Sequence, residues 1–205
     1  MPEFSPKFAR RDPLQSAFWD ERFERGFTPW DRGGVPLALR DFVARSVGAR
    51  RTLIPGCGAA YELAFLANVG WDAIAIDFSP AAVAVAKQAV GQWAERIVQA
   101  DFFTWESAAP LELIYERAFL CALPRSLWPQ LCARYAALLP PGALVAGFFF
   151  FDDTEKGPPF GISAEQLDAL LTPNFIKIED AAVEDSIPVF DGKERWQVWQ
   201  RKAAT

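Results

Sequence analysis

The 205-residue chain contains no histidine. That absence removes imidazole acid–base catalysis, every Ser-His or Cys-His nucleophile pair and the usual zinc sites. Cysteine is scarce as well. Cys57, Cys121 and Cys132 form no CxxC pair and leave an odd count, which suits a reducing compartment better than a disulfide framework. Basic residues are outnumbered, 21 Lys and Arg against 26 Asp and Glu. The net charge of −5 makes the surface repel a phosphate backbone, so no nucleic-acid partner is expected. No run approaches the roughly 18 apolar residues of a membrane span. The opening Met1-Pro2-Glu3-Phe4-Ser5-Pro6 lacks the basic-then-apolar order of a secretion signal. The expected address is the cytoplasm, with no membrane or protein partner evident.

What is present is apolar material, 51% of the chain, enough for one sizeable core and too little for two comfortable domains. The expectation is one domain over residues 1–205, with residues 1–45 as an N-terminal lid or cap and residues 50–205 as an α/β core. From residue 50 onward, strand and helix signals alternate. Strands are expected at 51–54, 71–77, 96–99, 113–120 and 143–150, and helices at 59–69, 81–90 and 126–139. Ser79-Pro80 supplies an N-cap and a first-turn proline, and Ser163 with Gln166 spells a capping box for a helix running to Leu171. Two last strands, 175–178 and 195–200, are expected to form a hairpin through the loop 186–193. Such alternation predicts a mainly parallel sheet covered on both faces, with ligands beyond the carboxyl ends of its strands.

The loop Leu53-Ile54-Pro55-Gly56-Cys57-Gly58, with Asp77 ending the next strand, fits a grip on an adenosine-containing cofactor. A dinucleotide site wants a third glycine, but Ala59, Ala60 and Tyr61 follow Gly58. The loop also has no Lys-Ser or Lys-Thr pair for a nucleoside triphosphate. A cofactor with ribose hydroxyls and no phosphate remains, and S-adenosylmethionine fits. Asp77 would accept from the ribose diol, while Asp101 and Phe102 would meet the adenine.

Further elements carry a resemblance. Phe18-Trp19-Asp20-Glu21-Arg22-Phe23, Gly26-Phe27-Thr28-Pro29-Trp30-Asp31, Pro55-Gly56-Cys57-Gly58, Asp77-Phe78-Ser79, Asp101-Phe102-Phe103-Thr104-Trp105, Phe119-Leu120-Cys121-Ala122 and Gly157-Pro158-Pro159-Phe160 resemble the thiopurine methyltransferase family. Within it the chain is most similar to plant-type thiol and halide methyltransferases. The resemblance implies a Rossmann-like class I methyltransferase fold, a seven-stranded sheet with its last strand antiparallel, and S-adenosylmethionine as donor, leaving S-adenosylhomocysteine. It also implies cofactor contacts at Trp19, Phe23, Trp30, Gly56, Asp77, Ser79, Asp101, Phe102 and Arg117. Phe23 stands where the plant enzymes have tryptophan. Arg117 stands where they have tyrosine and the thiopurine enzymes have arginine.

The residues themselves allow this chemistry. A sulfonium is a cation with little hydrogen-bonding capacity, so aromatic faces suit it. Trp19 and Phe23 could cover a cofactor or fill the core, because Phe18, Trp19, Phe23 and Phe27 recur at roughly helical spacing. Trp30, in a loop, favours the covering role. Methyl transfer mainly needs a nucleophile held at attack distance in a dry pocket, without metal or covalent intermediate. A small thiol suits a histidine-free site, since it is already partly thiolate at neutral pH. Halide, hydrosulfide, oxygen and nitrogen acceptors, or a non-catalytic cofactor-binding module, are the alternatives. Asp31, Asp152 and Asp153 are the candidate bases. Arg117 could steady a thiolate or the cofactor carboxylate, or pair with Glu116 or Glu112. Phe148 to Phe151 and Phe160 would build apolar walls.

Overall fold

A computed structural model describes residues 7–203, so the reading of Met1 to Pro6 lies outside the described residues. Its centre is a seven-stranded sheet in the order β3-β2-β1-β4-β5-β7-β6. The strands are β1 (Arg51–Pro55), β2 (Asp72–Asp77), β3 (Ile97–Gln99), β4 (Leu113–Arg117), β5 (Leu144–Phe150), β6 (Phe175–Ala182) and β7 (Glu194–Arg201). Strand β7 runs antiparallel to both β5 and β6, while β1 pairs in parallel with β2 and β4. The expected class I fold, with its antiparallel last strand and terminal hairpin, is therefore what the chain adopts.

Consecutive strand residues enter opposite cores, which explains their continuous apolar runs. Leu53 and Ile54, Ile114 and Tyr115, and Val145 and Ala146 each divide between the two sides. On one face pack α2 (Leu37–Ala44), α3 (Tyr61–Asn68) and α4 (Pro80–Val90), through Leu39, Phe42, Leu63, Leu66, Val83 and Ala86. On the other pack α5 (Trp128–Leu138) and α6 (Ala164–Leu171), through Leu131, Tyr135, Leu167 and Leu171. Ser79 caps α4, its hydroxyl accepting from Ala82 N at 3.1 Å, and Ser163 and Gln166 make the capping box on α6. None of the described helices is long and apolar enough to cross a membrane.

Two differences from expectation bear on the site. The fourth strand stops at Arg117 instead of continuing to Leu120. Ala118 takes a positive φ of 58°, and the buried Glu116 carboxylate accepts from Phe119 N at 2.7 Å and Leu120 N at 3.2 Å, turning the chain over the strand end. The segment drawn as a lid over 1–45 also divides. Helix α2 belongs to the core, where Phe42 packs on Trp71 and Trp196 with ring centroids 6.3 and 5.6 Å apart. Helix α1 (Ser16–Glu24) lies instead against α4, at the carboxyl end of the sheet.

Candidate active site

Strands β1 and β4 are neighbours in space, and from them the chain winds outward in opposite directions. A crevice opens at such a switch point beyond the strand ends. Here it is a cavity of about 840 Å³, lined by Gly56 to Glu62 after β1, Asp77 after β2, Asp101 and Phe102 after β3, and Arg117 to Phe119 after β4. The volume lies toward the upper end of small-molecule sites, roughly 300–1,000 Å³, enough for a cofactor and a small acceptor together.

The N-terminal segment supplies the roof. Trp19, Phe23 and Trp30 line the cavity, and Phe18, 3% exposed, lines it from deeper in the protein. Trp30 meets Trp19 and Phe23 edge-on, with centroids 5.5 and 6.0 Å apart, and Trp19 Nε1 donates to Pro13 O at 2.9 Å. Two polar ties fix this roof. Asp20 Oδ1 accepts from Ser79 Oγ at 2.6 Å and Ala81 N at 3.1 Å, placing a negative charge at the N-terminus of α4, where the helix dipole favours it. Arg32 pairs with Asp185 at 2.5 Å, joining the segment to the loop between β6 and β7. Ser79 is fully buried in the first of these ties and does not line the cavity, so its place is beneath the site.

The floor depends on glycine. At Gly56, with φ of 56°, an added Cβ would come within 2.4 Å of Phe119 Cδ2, so no larger residue fits between the loop and that ring. Asp77 accepts from Ser79 N at 2.9 Å and Gly58 N at 3.3 Å, and it is 7% exposed. Burial pushes its pKa up to about 6, against the two amides, with the Asp20 carboxylate adding to the rise. Asp101 is exposed at the cavity edge, its Oδ1 accepting from Phe103 N at 2.9 Å. Phe102 is buried edge-on against Phe119 at 5.4 Å.

Arg117 reaches the cavity, and its partner is neither Glu116 nor Glu112. Its Nη1 donates to Glu194 Oε2 at 2.7 Å, and its guanidinium lies 4.4 Å from the Phe148 ring centre. Glu116 is occupied elsewhere, accepting from Tyr135 Oη at 2.6 Å, while Glu112 accepts from Arg51 N at 2.8 Å. Strand alternation separates these side chains, so the alternative of a neighbour pair gives way to a cross-strand one. Burial works against the charge on Arg117, but Tyr115 and Glu194 outweigh it and hold the pKa above the ordinary arginine value.

The candidate bases part company. Asp31 lines the cavity, its Oδ1 accepting from Gly33 N at 2.7 Å. Asp152 and Asp153 do not line it: Asp152 is paired with Lys193 and accepts from Thr154 N at 2.8 Å, and Asp153 is exposed. Both follow β5 and line a separate recess with Ser163 and Lys193. Phe148 to Phe151 and Phe160 are likewise absent from the walls, since strand alternation and close packing spend Phe148, Phe149 and Phe150 on the core. Pro158, Pro159, Val189 and Phe190 stand there instead. The last two come from the loop before β7, whose run Ile187-Pro188-Val189-Phe190 is more apolar than a mere connection requires. Glu62 and Tyr61 also line the cavity and escaped the sequence reading, although Glu62 stands only four residues after Gly58.

A model of the family described as thiopurine S-methyltransferase matches residues 14–202. The chain belongs to that family. Among curated relatives, thiocyanate methyltransferase 1 of Arabidopsis thaliana is 28% identical over 92% of this chain and 86% of its own length. A probable thiol methyltransferase 2 of the same plant is 29% identical over the same shares. A thiopurine S-methyltransferase of Shewanella piezotolerans is 26% identical over 84% of this chain and 88% of its own. Among solved structures, the 1,6-didemethyltoxoflavin-N1-methyltransferase of Burkholderia thailandensis, with S-adenosylhomocysteine bound, superposes with a TM-score of 0.74 over 96% of this chain and 93% of that one, at 16% identity. That likeness speaks to the fold. As a member of the thiopurine S-methyltransferase family, the protein is an S-adenosylmethionine-dependent S-methyltransferase of small molecules. The residues present suit such a cofactor: a buried carboxylate able to accept from hydroxyls, a glycine floor, and aromatic side chains of the kind a sulfonium prefers.

Proposed function

We propose that the acceptor is a small, acidic thiol that reacts as its thiolate. The observation that carries this is the guanidinium of Arg117 at a cavity end walled by Trp30, Val189 and Phe190, with no histidine in the chain to take a proton. When bound, S-adenosylmethionine supplies an electrophilic methyl group. Trp19, Phe23 and Trp30 cover its sulfonium and exclude water, Gly56 lets the backbone approach, and Asp77 accepts from the ribose hydroxyls. Asp101 and Phe102 bound the adenine, and Ser79 supports Asp77 from beneath. Arg117, with only Nη1 taken up by Glu194, keeps its other donors for an anionic sulfur. Asp31 is the acidic residue of the roof open to a proton from a less acidic thiol. The chain works as one domain, the described residues up to 45 supplying the roof and its following helix and those from 50 onward the core. The cytoplasm suits its buried free thiols Cys57, Cys121 and Cys132.

A series of substituted thiophenols and alkyl thiols tests the acceptor. At pH 7, kcat/KM is expected to fall as the thiol pKa rises above neutrality, because the thiolate fraction falls. Faster turnover on phenols or amines than on every thiol would overturn the proposal. Halide, thiocyanate or hydrosulfide is a second reading, favoured by the same cation and by the names of the plant relatives. Iodide belongs in the series.

Cofactor affinity should depend on pH through Asp77. Hydroxyl donors favour its ionised form, so protonation near pH 6 competes with binding. Kd is expected to be flat above about pH 7 and to rise as the pH falls, approaching tenfold per unit below about pH 5.5. The sign for the free fold is opposite. A carboxyl whose pKa is raised by folding destabilises the fold when ionised, and that penalty is relieved as pH falls from about 6 toward 3.8. Calorimetric titration across this range checks the dependence, and Asp77→Asn should flatten it.

A further inference from the structure

Glu62 stands in the first turn of α3, lines the cavity and is 8% exposed. Its contacts are weak for a buried carboxylate, namely its own backbone N–H and the Tyr115 hydroxyl, which donates to Oε1 at 3.5 Å. Among the described residues no ion pair includes it, because Arg117 lies near enough to draw its pKa down but is itself paired with Glu194. Burial is the larger influence and raises that pKa, with the Asp31 carboxylate of the roof adding to the rise. Asp31 and Glu62 also both raise the pKa of Tyr61, after burial, so an acidic group of the roof and one of α3 act on this part of the cavity. A buried carboxylate of this kind is costly unless a cation or strong donors complete it.

We infer that Glu62 receives the α-ammonium of the cofactor's amino-acid tail. The inference rests on the cavity being the S-adenosylmethionine site. Three features carry it. Glu62 follows Gly58 by four residues and lines the same cavity as Gly56 and Gly58. It lacks a cationic partner of its own. The cofactor's tail bears an ammonium, with three donors to complete such a group. An ordinary first-turn acid, serving only its own helix dipole, would need no place in a cavity wall and no burial.

The test compares two ligands by calorimetry. S-adenosylhomocysteine carries the amino-acid tail, and 5′-methylthioadenosine keeps the adenosine and sulfur without it. In Glu62→Gln the affinity for S-adenosylhomocysteine is expected to fall at least tenfold, while that for 5′-methylthioadenosine stays within twofold. A ratio of the two affinities that moves by less than threefold would overturn the inference, whether neither affinity changes or both fall together as a structural role would produce. Slower methyl transfer to thiols with unchanged S-adenosylhomocysteine binding would also overturn it, in favour of proton transfer from the acceptor. If the variant does not fold, the wild-type protein decides. The analogue of S-adenosylhomocysteine with hydrogen in place of the ammonium is then expected to bind at least tenfold more weakly, and equal affinity would refute the inference. Wild-type protein that binds neither nucleoside would instead refute the cofactor site on which the inference stands.

Discussion

Replacing Asp77 by alanine is expected to weaken S-adenosylmethionine binding by about 1.5–3 kcal/mol, roughly a ten- to hundredfold rise in Kd. The size follows from loss of hydrogen bonds to a charged acceptor in a buried setting, which are worth about twice those between neutral partners. The same carboxylate accepts from Ser79 N and Gly58 N, so its removal also frees the glycine loop and the start of α4. Asp77→Asn separates the two effects. The amide oxygen can still accept from one of those backbone groups, but it carries no charge for the diol. Titration of both variants with S-adenosylhomocysteine, beside their thermal unfolding, is the measurement. Unchanged affinity in Asp77→Ala would reject the ribose role.

The largest effect on stability is expected at Glu194. Its side chain is 3% exposed, it accepts from Arg117 Nη1 at 2.7 Å, and its other oxygen accepts from Ser186 Oγ at 2.6 Å. Glu194→Ala leaves the Arg117 guanidinium, 13% exposed, without its counter-charge beside the Phe148 ring. Breaking a buried pair from one side costs about 3–5 kcal/mol, because an uncompensated charge remains. Replacing both partners by apolar side chains of similar volume should restore much of that loss, since the charge itself is then gone. Urea unfolding of the single and double variants checks this, and a single-variant loss below about 1 kcal/mol would show the pair to be solvated. The pair joins β4 to the start of β7, and Ser186 ties Glu194 to the loop carrying Val189 and Phe190, so thiol turnover should fall in Glu194→Ala even where the protein remains folded.

The sheet was legible because its signals were local. Alternating apolar runs, Ser79-Pro80, and Ser163 with Gln166 each specify an element within a few residues. The end of β4 was not, because Glu116 turns the chain through its buried side chain, and a carboxylate inside a strand pattern gives no outward sign of that. The glycine loop, Asp77, Asp101 and the roof aromatics were visible because each occupies a fixed place relative to a strand end or the family's motif. Asp152 and Asp153 looked equivalent to Asp31 as loop carboxylates, and only the direction of the chain after β5 distinguishes them. The partner of Arg117 was not legible, since the pairing of β5 with β7 brings Glu194 across 77 positions of sequence. Glu62, Val189 and Phe190 needed the folded cavity to be recognised.

The central claim is methyl transfer from S-adenosylmethionine to sulfur in this cavity. It is tested most directly with an acceptor that offers two nucleophiles at once, 4-mercaptophenol, and methyl-deuterated S-adenosylmethionine, with the product identified by mass spectrometry and NMR. The label is expected on sulfur, with S-adenosylhomocysteine formed in equal amount. Label on the phenolic oxygen, or none transferred while the cofactor binds, would contradict the account.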